Sequence, residues 1–143
     1  MSYSIDHSLD PENFDSFRRD AHTLLDACLD HLKAARERPW QPVDSAARAA
    51  LAPALPETGI GESELARELA ETVLPFGTGN THPRFFGWVH GTGLAAGLLA
   101  DIAASAMNSN CGGRDHGAIY IERAVIDWTP RIFRFPEGTT GLL

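Results

Sequence analysis

The sequence predicts a mostly helical chain that is part of a larger protein. Apolar residues recur at helical spacing, prolines and glycines separate the helical segments, and no stretch shows the alternation of a β-strand. One segment, residues 94–107, is apolar almost all round, although few other elements of the chain could cover it. We therefore expect other polypeptide to bury this helix, and we expect the chain to continue past Leu143.

The first half of the chain shows three helical patterns. Asp10 and Pro11 form a favourable helix start, since Asp10 can cap the first turn. Apolar positions then follow at helical spacing: Phe14, Phe17, Ala21, Leu24, Leu25, Cys28 and Leu32. Prolines 39, 42, 53 and 56 mark an irregular connection in which Asp44 can cap a short helix over residues 45–51. A further helix over residues 62–74 is expected to end at Pro75.

The second half begins with a glycine-rich loop and continues into two helices. The run HPRFFGWVHGTG, residues 82–93, combines aromatic residues and glycines without a helical period, which predicts an extended segment. A helix over residues 93–108 follows. Asp115 can cap a last helix, which Pro130 is expected to kink or end.

Composition and charge narrow the class of protein. The 143 residues include 12 basic and 19 acidic side chains, and the net charge of −7 leaves no basic face for nucleic acid. The most apolar segment is shorter than the roughly 20 residues that cross a membrane. Cys28 and Cys111 show no metal or disulfide spacing, and the first residues lack the pattern of a signal peptide. We expect a cytoplasmic protein that binds neither nucleic acid nor membrane.

The reactive residue types allow several kinds of site. His82 or His90 could join Cys111 and His116 around zinc, although no metal-binding spacing supports this. Cys111 beside two glycines could be a nucleophile, and its alternative is a small buried thiol. Phe86 and Trp88 fit either core aromatics or a ligand surface. Asn108 and Asn110 fit helix ends that adopt left-handed geometry.

The ordered motifs of the chain resemble one enzyme family. They are RPWQPV, VLPFGTGNTHPRFFGWVHG, LLADIAASAMNSN, GGRDHGAIYIERAVIDW and FPEGTTGLL. In this order they resemble the amino-terminal third of the group II pyridoxal-phosphate-dependent decarboxylases, the family of aromatic-L-amino-acid decarboxylase. The likeness extends from about residue 11 to residue 143.

The resemblance implies a fold-type I homodimer. Residues 1–92 would form an amino-terminal helical domain that clamps a second identical subunit, and residues 93–143 would begin the α/β large domain that binds pyridoxal 5'-phosphate. In this family a lysine forms a Schiff base with the cofactor, and the amino-acid substrate loses its carboxylate as carbon dioxide, which makes the enzyme a lyase. The only lysine here is Lys33, on the exposed end of the first helix. The catalytic lysine and the phosphate-binding turn are therefore expected beyond Leu143, and no catalytic, cofactor-binding or metal-binding residue is expected in this chain.

The resemblance also implies which residues face the substrate. Trp88, Val89, His90 and Gly91 match a substrate-contacting run, and the loop containing Asn110 and Gly112 matches one that reaches the neighbouring subunit's site. The aromatic decarboxylases have Phe-Pro-Thr at positions 89–91 and bulky apolar residues at positions 110 and 112. With His90 and Asn110 at these positions, the wall of the substrate pocket is more polar in this chain. This predicts a polar or acidic amino acid as substrate.

Two other classes remain open from the sequence. The same helices could form a non-catalytic dimerisation or regulatory module that lacks the cofactor. A small zinc enzyme that uses Cys111 and the histidines would contain stoichiometric metal.

Overall fold

The computed structural model describes residues 10–55 and 57–142. Expectations for the first nine residues, Pro56 and Leu143 lie outside the described residues. The described residues form five α-helices and no strand, as the sequence predicts: α1 (Phe14–Lys33), α2 (Ser45–Leu51), α3 (Glu62–Glu68), α4 (Ala95–Met107) and α5 (Gly117–Phe133). The chain divides into two compact units after Ala95, in the first turn of α4.

The start of α1 is set by Asn13, so the prediction of Asp10 as its cap is wrong. The Asn13 side-chain oxygen accepts hydrogen bonds of 3.0 Å from the backbone N–H groups of Asp15 and Ser16. Asn13 directly precedes the first helical residue, where a side-chain acceptor reaches the free N–H groups. For α2 the prediction is confirmed, because Asp44 accepts a hydrogen bond of 2.8 Å from Ala47 N.

The helix that begins as α3 does not run on regularly to Leu74. Residues Leu69–Val73 widen into a π-turn, in which Leu74 N donates to Leu69 O, and Leu74–Phe76 tighten into a 3-10 turn. Pro75 explains this change, because it lacks an N–H and its ring would clash with the carbonyl four residues earlier. The predicted helix over residues 62–74 is therefore confirmed in part: the α-helix ends at Glu68, and the two irregular turns continue to Phe76.

The first unit is held together by α1, which packs against α3 and the π-turn. The predicted inner face of α1 is half-buried from Ala21 through Leu24, Leu25 and Cys28 to Leu32, whereas Phe14 and Phe17 are exposed. Ser63 in the first turn of α3 donates a hydrogen bond to the Asp20 carboxylate. The C-terminal end of α1 is closed by Arg38, which donates to the carbonyl and to Nδ1 of His31.

The expected cap of α5 is wrong, and the helix does not end at Pro130, one of the two outcomes expected there. His116, rather than Asp115, is the residue before the helix, and its side chain makes no capping bond. The helix also passes through Pro130 and ends at Phe133. Arg134 adopts a left-handed conformation with φ 56°, and Phe135 N donates to Pro130 O at 2.8 Å, which closes the last turn. Pro130 has no backbone N–H to donate, but the turn that follows it still forms.

Apolar surface remains exposed on the helices of the second unit. Ile119 is the one buried hydrophobic residue in the described part of the chain. Every residue of α4 is exposed except Gly97 and Leu98, which are half-buried. The described residues therefore leave α4 uncovered, and the expectation that other polypeptide buries this helix stays a prediction.

Among the described residues, no helix is both long enough and apolar enough to span a membrane.

Candidate functional site

The loop after the 3-10 turn is anchored on the end of α1. Gly79 has φ 79° and lies so close to Trp40 that a Cβ at this position would be 2.7 Å from Trp40 Cβ. His82 N donates to Gly79 O at 3.0 Å, and Phe85 N donates to His82 O at 2.9 Å. These two turns fold residues 79–85 back on themselves before the aromatic run begins.

His82 is occupied by structural hydrogen bonds. Its Nδ1 accepts from Arg84 N at 3.1 Å, so the proton is on Nε2, which lies 3.1 Å from Arg36 O and donates to it. Nε2 therefore joins the loop to the turn that follows α1, and Nδ1 closes a turn within the loop itself. This arrangement leaves no lone pair of His82 for a metal ion.

The candidate residues Trp88 and His90 come together in an exposed aromatic cluster with Phe85. The Phe85 and His90 rings are stacked with centroids 6.1 Å apart, and Trp88 meets His90 edge-on at 5.6 Å. Trp88 is 81% exposed and has φ 51°, a backbone region in which a bulky residue is strained. The expectation that Trp88 and Phe86 could be core aromatics is wrong, since Phe86 is 93% exposed.

Val89 and Gly91 complete the first candidate run. The Val89 side chain is fully exposed. Gly91 has open space around its α-carbon, and its carbonyl accepts a hydrogen bond of 2.7 Å from Asn80 Nδ2. Thr78 Oγ1 donates to Asn80 Oδ1 at 2.7 Å and so orients the amide. Asn80 thus closes the loop that displays the aromatic cluster, a role that the sequence analysis missed.

The second candidate loop lies in the other unit and is organised by Asn110. Asn110 Oδ1 accepts from Gly112 N at 3.1 Å, and the Asn110 carbonyl lies 2.7 Å from His116 Nε2. His116 therefore donates through Nε2, which leaves Nδ1 as a buried acceptor without a hydrogen-bond partner among the described residues. Asn108 ends α4 with φ 44°, which confirms the helix-end interpretation for that residue.

Cys111 is exposed, so the expectation of a buried thiol is wrong. A hydrogen bond with Glu122, followed by desolvation and by the charge of that carboxylate, raises the pKa of the Cys111 thiol. A nucleophilic cysteine needs the opposite shift, because the thiolate is the reactive form. Across residues 10–55 and 57–142, no group of three or more His, Cys, Asp or Glu side chains is placed to hold a metal ion.

Each unit therefore brings its own candidate residues together. The first unit places Trp88 and His90 in one cluster, with Val89 and Gly91 beside them. The second unit places Asn110, Gly112 and His116 in one hydrogen-bonded loop. No family model and no solved structure matches the chain.

Proposed function

We propose that this chain is the amino-terminal part of a pyridoxal-phosphate-dependent amino-acid decarboxylase. In this role it supplies helices that clamp a second identical subunit and part of the wall of the substrate pocket. The observation that carries the proposal is the exposed cluster of Phe85, Trp88 and His90, which lies in the run that bears the family resemblance. Strained backbone and exposed aromatic rings are typical of ligand-contacting loops.

The polar groups of the two candidate loops favour a polar or acidic amino acid as substrate. Neither ring nitrogen of His90 has a hydrogen-bond partner among the described residues, although the ring is held by Phe85 and Trp88. In Asn110 the side-chain oxygen is occupied by Gly112 N, which leaves the amide N–H groups available as donors. Imidazole and amide donors bind carboxylate oxygens well.

The described residues do not themselves form a pyridoxal-phosphate site. The cofactor, when bound to a lysine, acts as an electron sink for the loss of the α-carboxylate. Lys33 is the only lysine, and it lies exposed in the last turn of α1. We therefore assign the cofactor mainly to residues beyond Leu143. The contribution of this chain is to orient the substrate and to line its pocket.

The test is an assay of carbon dioxide release by the complete enzyme against a panel of amino acids. We expect release that depends on pyridoxal phosphate and is fastest with a polar or acidic substrate. His90→Ala should raise KM for that substrate by about tenfold, the loss of one charge-assisted hydrogen bond. His22→Ala, an exposed histidine on α1, is the matched control and should leave KM unchanged.

Two results would count against the proposal in different ways. Preference for tyrosine or tryptophan derivatives would reject the polar substrate class but keep the decarboxylase. Absence of release from every amino acid, by a protein that is folded and loaded with cofactor, would reject decarboxylation.

The exposed apolar surface of α4 favours one second candidate, a non-catalytic dimerisation module. Leu99 is 61% exposed and Ile102 is 47% exposed, and contiguous apolar surface of this kind usually meets a partner. Such a module would form dimers and bind no pyridoxal phosphate. Gel filtration together with the visible spectrum of the complete protein distinguishes the two functions.

A further inference from the structure

Two clefts in the first unit are lined in part by Trp40, and the proposed function gives Trp40 no role. One, of about 340 Å³, is lined by residues that include His31, Arg38 and Asn80. The other, of about 370 Å³, is lined by residues that include His82, Arg84 and Phe85. Both share Pro39, Trp40 and Gly79, so the two clefts adjoin at these residues. Their sizes are in the range of small-molecule sites.

The basic lining of these clefts contrasts with the acidic chain. The net charge of the chain is −7, yet the ionisable lining residues are two arginines, two histidines and one acid, Glu37. Arg38 is half-buried, and it uses one N–H of each terminal nitrogen for His31. The Arg84 guanidinium has no carboxylate partner among residues 10–55 and 57–142. The clefts therefore offer unused donors to an anion.

His31 adds no positive charge of its own at neutral pH. Burial, and then the charge of Arg38, lowers the pKa of His31. Its Nδ1 accepts from Arg38, as a neutral imidazole must. The fixed positive charge of the two clefts is thus supplied by the guanidinium groups of Arg38 and Arg84.

Trp40 gives the clefts an aromatic surface. The residue is 62% exposed, although its backbone and Cβ lie against Gly79. An exposed indole offers a face on which a planar ring can stack. Gln41 Nε2, which donates to Pro75 O at 3.4 Å, ties the following residue to the other wall.

We propose that the Trp40 clefts bind a small aromatic carboxylate, whose ring stacks on Trp40 and whose carboxylate is bound by Arg38 and Arg84 together. A guanidinium binds a carboxylate through paired N–H groups, and this geometry selects planar anions over cations and neutral molecules. Phe85 of the aromatic cluster also lines the second cleft, but the ligand's ring and charge are assigned to Trp40 and the two arginines, so the inference does not depend on the decarboxylase proposal.

The experiment is a titration of the 15N-labelled chain with benzoate, followed by NMR of the tryptophan indole N–H signals. The chain contains three tryptophans, and Trp40→Phe assigns the relevant signal. We expect a saturable shift of the Trp40 signal. Arg84→Gln should weaken binding about tenfold, the cost of one charged contact. Arg38→Gln should do the same, and Arg84→Gln keeps the test valid if loss of Arg38 unfolds the end of α1.

The control measurements test separately whether binding needs the charge and the aromatic ring of the ligand. Arg18→Gln removes an exposed arginine of α1 and should leave benzoate binding unchanged. Benzamide, which has the ring without the charge, should bind much more weakly than benzoate, and so should inorganic phosphate, which has charge without a ring. The proposal is overturned if benzoate gives no saturable shift up to about 10 mM. It is equally overturned if benzamide or phosphate binds as tightly as benzoate, or if Arg84→Gln has no effect.

Discussion

Gly79 lies at the closest approach between the Trp40 segment and the loop that carries the aromatic cluster. Its φ of 79° lies in the left-handed region, and an added Cβ would meet Trp40 Cβ at 2.7 Å and Trp40 Cα at 3.3 Å. Neither Trp40 atom can move without the backbone. Gly77, two residues earlier, has φ −64° and open space around its α-carbon. An added methyl group is therefore expected to destabilise the fold much more at Gly79 than at Gly77.

We predict that Gly79→Ala lowers the free energy of unfolding by about 2–4 kcal/mol, since it combines unfavourable backbone geometry with steric overlap. Gly77→Ala is the matched control and should change it by less than about 1 kcal/mol. Urea unfolding of the two variants beside the parent chain measures both values. Equal midpoints for the two variants would show that Gly79 does not hold Trp40 as described.

We predict slow alkylation of Cys111 by iodoacetamide, because Glu122 raises the pKa of its thiol and so reduces the thiolate present at neutral pH. Glu122→Gln removes the cause of the shift and should speed alkylation several-fold at a fixed pH. The rates are measured in a Cys28→Ser background, so that one thiol reacts. Glu137→Gln, an exposed glutamate of the same unit, should not change the rate, and an unchanged rate in Glu122→Gln would contradict the Cys111–Glu122 contact.

The sequence allowed only part of this residue-scale detail to be predicted. Trp88 and His90 are two positions apart in an irregular run, so their proximity follows from the sequence. The bond from Asn80 to Gly91 O joins residues eleven positions apart. It depends on the turns at Gly79 and His82, and these have no distinctive sequence pattern.

At the scale of the helices, the apolar pattern located the longer elements, and side-chain chemistry set the starts of α1 and α2. The apolar spacing predicted α1 and α3, and Asp44 predicted the start of α2. The errors concern caps, at Asp10 and Asp115, because several nearby residues can cap a helix and the surrounding turn selects one. The helix α5 also continues past Pro130, since a proline near a helix end removes one hydrogen bond that the closing turn can tolerate.

The two salt bridges of Arg67 predict that helix stability at this position depends on pH. Arg67 is bonded to Glu64 and to Glu71, one helical turn away on either side. The hydrogen bond from Arg67, more than its charge, lowers the pKa of Glu64 below its ordinary value. The pair therefore stabilises α3 above the ordinary pKa of a glutamate, and this contribution is lost as pH falls through the lowered pKa. Both side chains are largely exposed, so the effect on stability is small.

We predict that the Glu64 carboxylate titrates below the ordinary value of 4.5 and that Arg67→Gln returns it towards that value. Carboxylate 13C chemical shifts followed against pH measure the midpoint. Arg48→Gln on α2 is the control and should leave the Glu64 midpoint unchanged. A Glu64 midpoint that does not respond to Arg67→Gln would contradict the hydrogen bonds of this helix.

At the scale of the whole molecule, exposed apolar surface is the dominant observation. Eleven of the 13 residues of α4 are exposed, Leu99 and Ile102 among them, and such apolar surface usually meets a partner. The sequence predicted surplus apolar surface from the pattern of residues 94–107. It could not show what covers this surface, because a pattern of apolar residues indicates that a helix is buried but does not identify the polypeptide that packs on it. The family resemblance is the source of the proposal that a second subunit and a cofactor domain cover it.

The central claim is that this chain lines the substrate pocket of an enzyme whose cofactor is bound elsewhere in the polypeptide. Borohydride reduction of the complete protein fixes pyridoxal phosphate covalently to the lysine that forms the Schiff base, and peptide mapping by mass spectrometry identifies that lysine. The account predicts loss of the visible Schiff-base absorbance on reduction and modification of a lysine outside this chain, with Lys33 unmodified. Modification of Lys33, or absence of bound pyridoxal phosphate in the complete protein, would contradict it.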